Sequence, residues 1–264
     1  MSLIALKSRK KTIDMIYRAS CAMKAAAVVR VRKVEKCLAD FANSSQMIDA
    51  TENRILEYVI LGHIMNKNAV CKVNIIIACD KGMCGDFMNK ISAYFKYHKN
   101  NGDYWLVFGS KLESACANNE RTLFFGNTFL DQMELFKAVS RVSDFLKNHS
   151  FCEMNLHYFS KDKVVVKQIV SKQRVLDAVR ENLDEETKAM ADQIPSEYAQ
   201  ILLARYLYSA MLSSMLEENI QRLVAMTQAK TNAEDMGKLI ARLYNKARQE
   251  KITLELNEIT AGIV

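Results

Sequence analysis

Apolar and small residues recur at steps of three or four along the first forty residues: Ile13, Ile16, Ser20, Met23, Ala27, Val31, Val34, Leu38 and Phe41. Such spacing over about four heptads predicts a helix with a coiled-coil seam, and Ser20 and Ala27 are small enough to let a partner helix come close. A second long helix is predicted near the other end, where Leu212, Leu216, Ile220 and Leu223 are followed by Ile252, Leu256, Ile259 and Ile263. Neither helix has a core of its own in which to bury its stripe, so the simplest solution is for the two arms to wrap around each other. Each large side chain buried this way contributes roughly 1.5–3 kcal/mol. Fifty helical residues would extend about 75 Å.

Glycine and proline mark where this pattern stops. The first glycine is Gly62, six of the eight glycines lie between Gly62 and Gly126, and the only proline is Pro195. The opening stretch without either reads as one arm, with a polar interruption near Asn43–Gln46, and a second such stretch begins at Ser196. Between them, short β-branched or aromatic runs alternate with helical segments. Strands are predicted at Cys71–Cys79, Tyr104–Gly109, Thr122–Gly126, Cys152–Ser160 and Val164–Val170. Helices are predicted at Asp86–Lys99, Lys111–Asn118 and Leu130–Asn148, the last with Met133, Phe136, Val139, Val142 and Phe145 at steps of three. Lys161–Asp162–Lys163 reads as a hairpin turn. Strand–helix alternation implies a parallel sheet with helices on its faces, to which the hairpin adds an antiparallel edge. The expected fold is α/β: an antiparallel coiled coil of the N- and C-terminal helices (residues 1–60 and 196–264) with an inserted Rossmann-like α/β domain at 68–175.

Composition narrows the function. At 264 residues and 50% hydrophobic the chain can bury a substantial core. No apolar run approaches the roughly eighteen residues a membrane helix needs, and the N-terminus does not read as a secretory signal. Seven scattered cysteines fit reduced thiols better than a disulfide framework. Residues 1–38 hold ten Lys or Arg against two acids, a local charge of +8 beside +7 for the whole chain. A basic helix of this kind is a solvated face, or a docking element for nucleic acid, a membrane surface or an acidic protein. With only Tyr17 and Phe41 as aromatics it offers no platform for stacking bases. A basic coiled-coil adaptor or nucleic-acid-associated protein is the alternative function this arm suggests.

Candidate chemistry is sparse. His63, His98, His149 and His157 are scattered, and Met23, Met211 and Met226 in the arms suit packing. The loop CDKGMCG, Cys79–Gly85, has neither phosphate-loop spacing, and no second Cys pair or nearby His completes a four-ligand zinc site. No catalytic group, metal or cofactor is expected.

The last stretch, YNKARQEKITLELNEITAG from Tyr244 to Gly262, resembles the C-terminal signature of the gamma subunits of F-type ATP synthases, a YN–RQ pair followed by IT-x-EL-x-EI. Arg222–Met226 is similar to that family's R-M-V-A-M. Lys7, Arg9, Thr12, Ile13, Arg18, Ser20, Ala22 and Met23 follow its opening helix. The CDKGMCG loop resembles [ST]-D-x-G-L-C-G-x-[FY]-N, with Cys79 for the hydroxyl residue, Met83 for Leu and Met88 for Asn. The stretch Arg205–Arg222 is about four residues shorter than usual, roughly one helical turn. The resemblance implies a central rotor shaft, non-catalytic in itself. Its implied partners are the alpha and beta subunits of the hexamer, the epsilon subunit and the membrane c-ring, at the cytoplasmic side of a bacterial inner membrane. It also implies hexamer contacts at Met23, Arg222, Arg248, Gln249, Thr253 and Glu255.

Overall fold

The computed structural model describes residues 2–46, 71–100, 102–116, 120–171 and 196–262. Its elements in chain order are α1 (Leu3–Gln46), β1 (Lys72–Ile77), α2 (Phe87–His98), β2 (Tyr104–Phe108), a 3₁₀ turn at Ser110–Ala115, β3 (Thr122–Gly126), α3 (Gln132–Asn148), β4 (Glu153–Ser160), β5 (Lys163–Ser171) and α4 (Ser196–Ala261). All five predicted strands form, each within a residue or two of its expected limits. The part of the first arm beyond Gln46, together with His63, Ile263 and the C-terminal end of the predicted Lys111–Asn118 helix, lies outside the described residues.

The chain divides into two compact units: Met1–Val29 with Arg222–Val264, and Arg30–Gln221. In the first unit the two long helices pair. Ile13, Ala233 and Ile240 form a small apolar cluster against Tyr17. Gly237 lies where a Cβ would stand 3.8 Å from the Ile13 methyl, and the Lys230 ammonium sits 5.7 Å from the Tyr17 ring centre. As α1 advances from residue 13 to 17, its partner position retreats from 237 to 230, so the pairing is antiparallel. The buried positions of α1 here are Leu6, Ile13, Ser20 and Ala27, each seven residues from the next. Tyr17, not Ile16, continues the register between Ile13 and Ser20. Ile16 is 48% exposed and is not part of the seam.

The second unit is a five-stranded sheet in the order β3-β2-β1-β4-β5. β1 pairs in parallel with β2 and β4, and β2 with β3. Only β5 runs antiparallel, against β4. The connecting turn places Lys161 and Asp162 at positive φ (50° and 62°), the conformation that matches a two-residue hairpin to the twist of its strands. β1 is buried from Val73 to Ile77 because both faces are covered. On one face α3 and the first turns of α4 bring Leu135, Val139, Val142, Leu203, Leu207 and Met211 against Ile75, Leu106 and Leu156. On the other, Phe87, Ile91 and Phe95 of α2 meet Ile76, Trp105 and Phe159. In the same unit, Phe41 of α1 meets Tyr208 of α4 edge-on, with ring centres 5.9 Å apart.

Two predicted stripes are corrected. In α3, Met133 and Phe136 are exposed, whereas Leu135, Ala138, Val139, Val142, Phe145 and Leu146 are buried. Steps of three fall about 60° short of a full turn, so a run of them walks off the face that 3.6-residue spacing keeps. In α4, Ile252, Leu256 and Ile259 are 43%, 59% and 62% exposed. Among the described residues nothing covers them.

Candidate functional site

The sheet's C-terminal edge is where open α/β folds ordinarily hold a ligand. Here Asp80, just after β1, ties together the loops that follow the next two strands. Its Oδ1 accepts the backbone N–H of Ser110 at 2.9 Å, and its Oδ2 accepts the N–H and the hydroxyl of Thr128 at 2.8 and 2.6 Å. Ser110 Oγ donates in turn to the Asp80 carbonyl at 3.2 Å. Gly109 completes the closure: its N–H donates to Gly126 O at 2.8 Å, and its φ is 108°. A Cβ there would come 2.8 Å from the carbonyl carbon of Ala78, so only glycine fits. Beside Asp80 lies a cavity of about 280 Å³ whose charged lining is mixed, with Arg30, Lys33 and Lys81 as well as Asp80 and Glu218.

Deeper in the sheet, His157 is buried beside Asn74 and Tyr94. Its Nε2 lies 3.1 Å from Asn74 Oδ1 and its Nδ1 3.0 Å from Tyr94 Oη. Burial, with a smaller contribution from His98, lowers its pKa from 6.5 to about 4, so the ring is neutral at physiological pH. This is a satisfied core histidine. Its partners come from α2 and β1, more than sixty residues away, and sequence spacing gives no sign of them.

The other candidate surface is the C-terminal part of α4. Arg248, Gln249, Thr253 and Glu255 are all exposed. The Thr253 hydroxyl donates to the Gln249 carbonyl at 3.0 Å, and Lys251 pairs with Glu255 at 3.3 Å. These four share one helix segment with the exposed Ile252, Leu254, Leu256 and Ile259. Leu254 was absent from the predicted stripe, yet it is 61% exposed and adds to the apolar surface. Met23 lies elsewhere in the same unit and is half-buried, and Arg222 is buried. The structure therefore brings four of the six expected contact residues together and leaves two apart. The two aromatics of α1 both make ring contacts, Tyr17 with Lys230 and Phe41 with Tyr208.

No group of three or more His, Cys, Asp or Glu side chains among the described residues is placed to hold a metal ion. No described helix is long and apolar enough to cross a membrane. In chain order, long N- and C-terminal helices before and after a five-stranded mixed sheet define an α/β class of protein. The chain belongs to the ATP synthase family, whose profile matches residues 2–264. It is 26% identical to the ATP synthase gamma chain of Helicobacter pylori (strain P12) and 23% identical to that of Buchnera aphidicola subsp. Schlechtendalia chinensis. Each match covers 97% of this chain and 96% of the relative. In fold it is similar to a chain from the OSCP/F1/c-ring structure of Euglena gracilis mitochondrial ATP synthase, with a TM-score of 0.71 at 15% identity, covering 98% of this chain and 93% of that one. A central stalk/c-ring chain of the Tetrahymena thermophila mitochondrial enzyme gives a TM-score of 0.54 at 15% identity, over 80% and 99%.

Proposed function

We propose that the chain is the gamma subunit of an F-type ATP synthase, the central rotor shaft that couples ring rotation to ATP synthesis in the catalytic hexamer. The observation that carries this reading is the uncovered end of α4, where Ile252, Leu254, Leu256 and Ile259 stand exposed beside Arg248, Gln249, Thr253 and Glu255. A helix that leaves four large apolar residues in water is completed by a surrounding protein. In a chain that matches the ATP synthase family over its whole length, the hexamer of alpha and beta subunits is that protein.

In this reading residues 1–60 and 196–264 form a coiled coil, and residues 68–175 form a Rossmann-like domain that rests on the membrane c-ring with the epsilon subunit. Proton flow turns the ring and the shaft turns with it. Because the shaft is asymmetric, it stabilises a different conformation of each catalytic subunit at each angle, and binding energy is exchanged for rotation through those differential contacts. Met23, Arg222, Arg248, Gln249, Thr253 and Glu255 carry the contacts with the hexamer. Nucleotide chemistry stays in the hexamer, and the subunit is held peripherally at the cytoplasmic face of a bacterial inner membrane.

Copurification tests the assignment. Tagged chain expressed in its own host should bring down the alpha, beta and epsilon subunits, and the chain alone should not hydrolyse ATP. Recovery of salt-sensitive nucleic acid without those subunits would overturn the reading in favour of a basic adaptor.

A further inference from the structure

The loop between β1 and α2 contains a cluster that the rotor reading does not use. Cys79 and Cys84 are both buried, and their sulfurs are 3.8 Å apart. The half-buried Met88, on the first turn of α2, places its Sδ 3.6 Å from Cys79 Sγ. Three soft sulfur atoms, two thiol and one thioether, thus share one water-poor spot. This chain differs from the gamma pattern [ST]-D-x-G-L-C-G-x-[FY]-N at three loop positions, and all three carry sulfur: Cys79, Met83 and Met88. Met83 is exposed, while Met88 and Cys84 both lie against Cys79.

We propose that Cys79, Cys84 and Met88 form a binding site for a soft monovalent metal ion of the Cu(I) type. With metal–thiolate bonds of about 2.3 Å, sulfurs bound to one ion at tetrahedral to trigonal angles lie about 3.8–4.0 Å apart. The Cys79–Cys84 and Cys79–Met88 sulfur separations, 3.8 and 3.6 Å, are at or just under that range, so the ion enters with adjustments of a few tenths of an ångström. Thiolate and thioether ligands select Cu(I) over harder ions. Zinc is disfavoured, because it takes four ligands and the neighbouring carboxylate, Asp80, is committed to Ser110 and Thr128. Binding exchanges two thiol protons for one cation, which leaves a single net negative charge at the N-terminal end of α2, where the helix dipole favours it. Cys84 gives up its contact to the Lys81 carbonyl in the process. The bound ion would link the end of β1 to the start of α2 and brace the loop that carries Asp80. The site stands independently of the rotor assignment.

The test is anaerobic titration of the reduced full-length chain with Cu(I) in competition with the chromogenic chelator bicinchoninate. The parent should withhold one equivalent from the chelator. Cys79→Ser and Cys84→Ser should each weaken binding at least 100-fold, and Met88→Leu about tenfold, whereas Cys71→Ser and Cys152→Ser should bind as the parent does. X-ray absorption of the loaded parent should show sulfur scatterers only. Met88→Leu conserves volume and keeps both thiols, so it tests the site even if a Cys variant fails to fold. Release of all copper to the chelator by the parent would overturn the proposal, as would oxygen or nitrogen scatterers in the spectrum or parent-like affinity in Met88→Leu.

Discussion

Helix α4 carries two stretches with the same helical apolar spacing and opposite fates. Leu203, Leu207 and Met211 are buried against the sheet, while Ile252, Leu256 and Ile259 are exposed on the same continuous helix. Periodicity therefore specifies that a segment is helical and which face is apolar, but it does not specify what covers that face. In the sheet unit the partner is encoded in the same chain, in β1, β2 and α3. At the other end no described part of the chain covers the stripe.

The contrast can be broken most directly by introducing one charge at each place. Leu207→Asp should put an unpaired carboxylate into a closed core and cost on the order of 4 kcal/mol or more. For a chain this size that lowers the melting temperature by more than about 8 °C, or prevents folding. Leu256→Asp in the isolated chain should change stability by no more than about 0.5 kcal/mol, because its site is already in water. Equal effects in thermal melts followed by circular dichroism would erase the distinction.

The next largest effect is on pH. The folded pKa of His157, about 4, lies below its unfolded value of 6.5, so the unfolded state binds more protons between them. Its contribution is complete above pH 6.5 and is lost as the pH falls towards 4. The loss is about 2 kcal/mol by pH 5 and on the order of 3 kcal/mol in full. Urea unfolding at pH 7 and pH 5 should show a steeper loss for the parent than for His157→Gln; equal losses would mean the ring is not held neutral. Gly109→Ala should cost about 2 kcal/mol, since φ is 108° and the added carbon meets backbone at 2.8 Å. A parent-like melt would show that the loops after β1 and β2 can separate.

The smallest effects on folding sharpen the comparison from the exposed side. Gln249→Ala and Glu255→Ala should leave the melt within about 0.5 kcal/mol of the parent. On the proposed contact roles, the same variants should slow turnover in the assembled complex. Full turnover would remove these two residues from the contact set.

The sequence and the structure diverge where long-range geometry decides. The strands, the hairpin and both terminal helices were legible because β-branched runs and helical spacing are local signals. In α1, choosing Ile16 over Tyr17 followed hydrophobicity. The packed register follows strict sevens through Leu6, Ile13, Ser20 and Ala27, and Tyr17 earns its place by lying under Lys230. The role of Asp80 was not legible, since its partners lie 30 and 48 residues away. The same holds for His157 and Asn74, 83 residues apart. The exposed polar set on α4 was readable from a local signature, whereas Arg222, read from the same kind of motif, turned out to be buried.

Rotation of this chain inside its complex tests the central claim most directly. With the hexamer fixed to a surface and an optical probe attached to the exposed face of α2, for example at Tyr97, ATP should drive stepwise rotation in one direction. The rotation should stop when ATP is withdrawn. A probe that stays fixed, or only fluctuates without direction, while the same complex hydrolyses ATP would contradict the account.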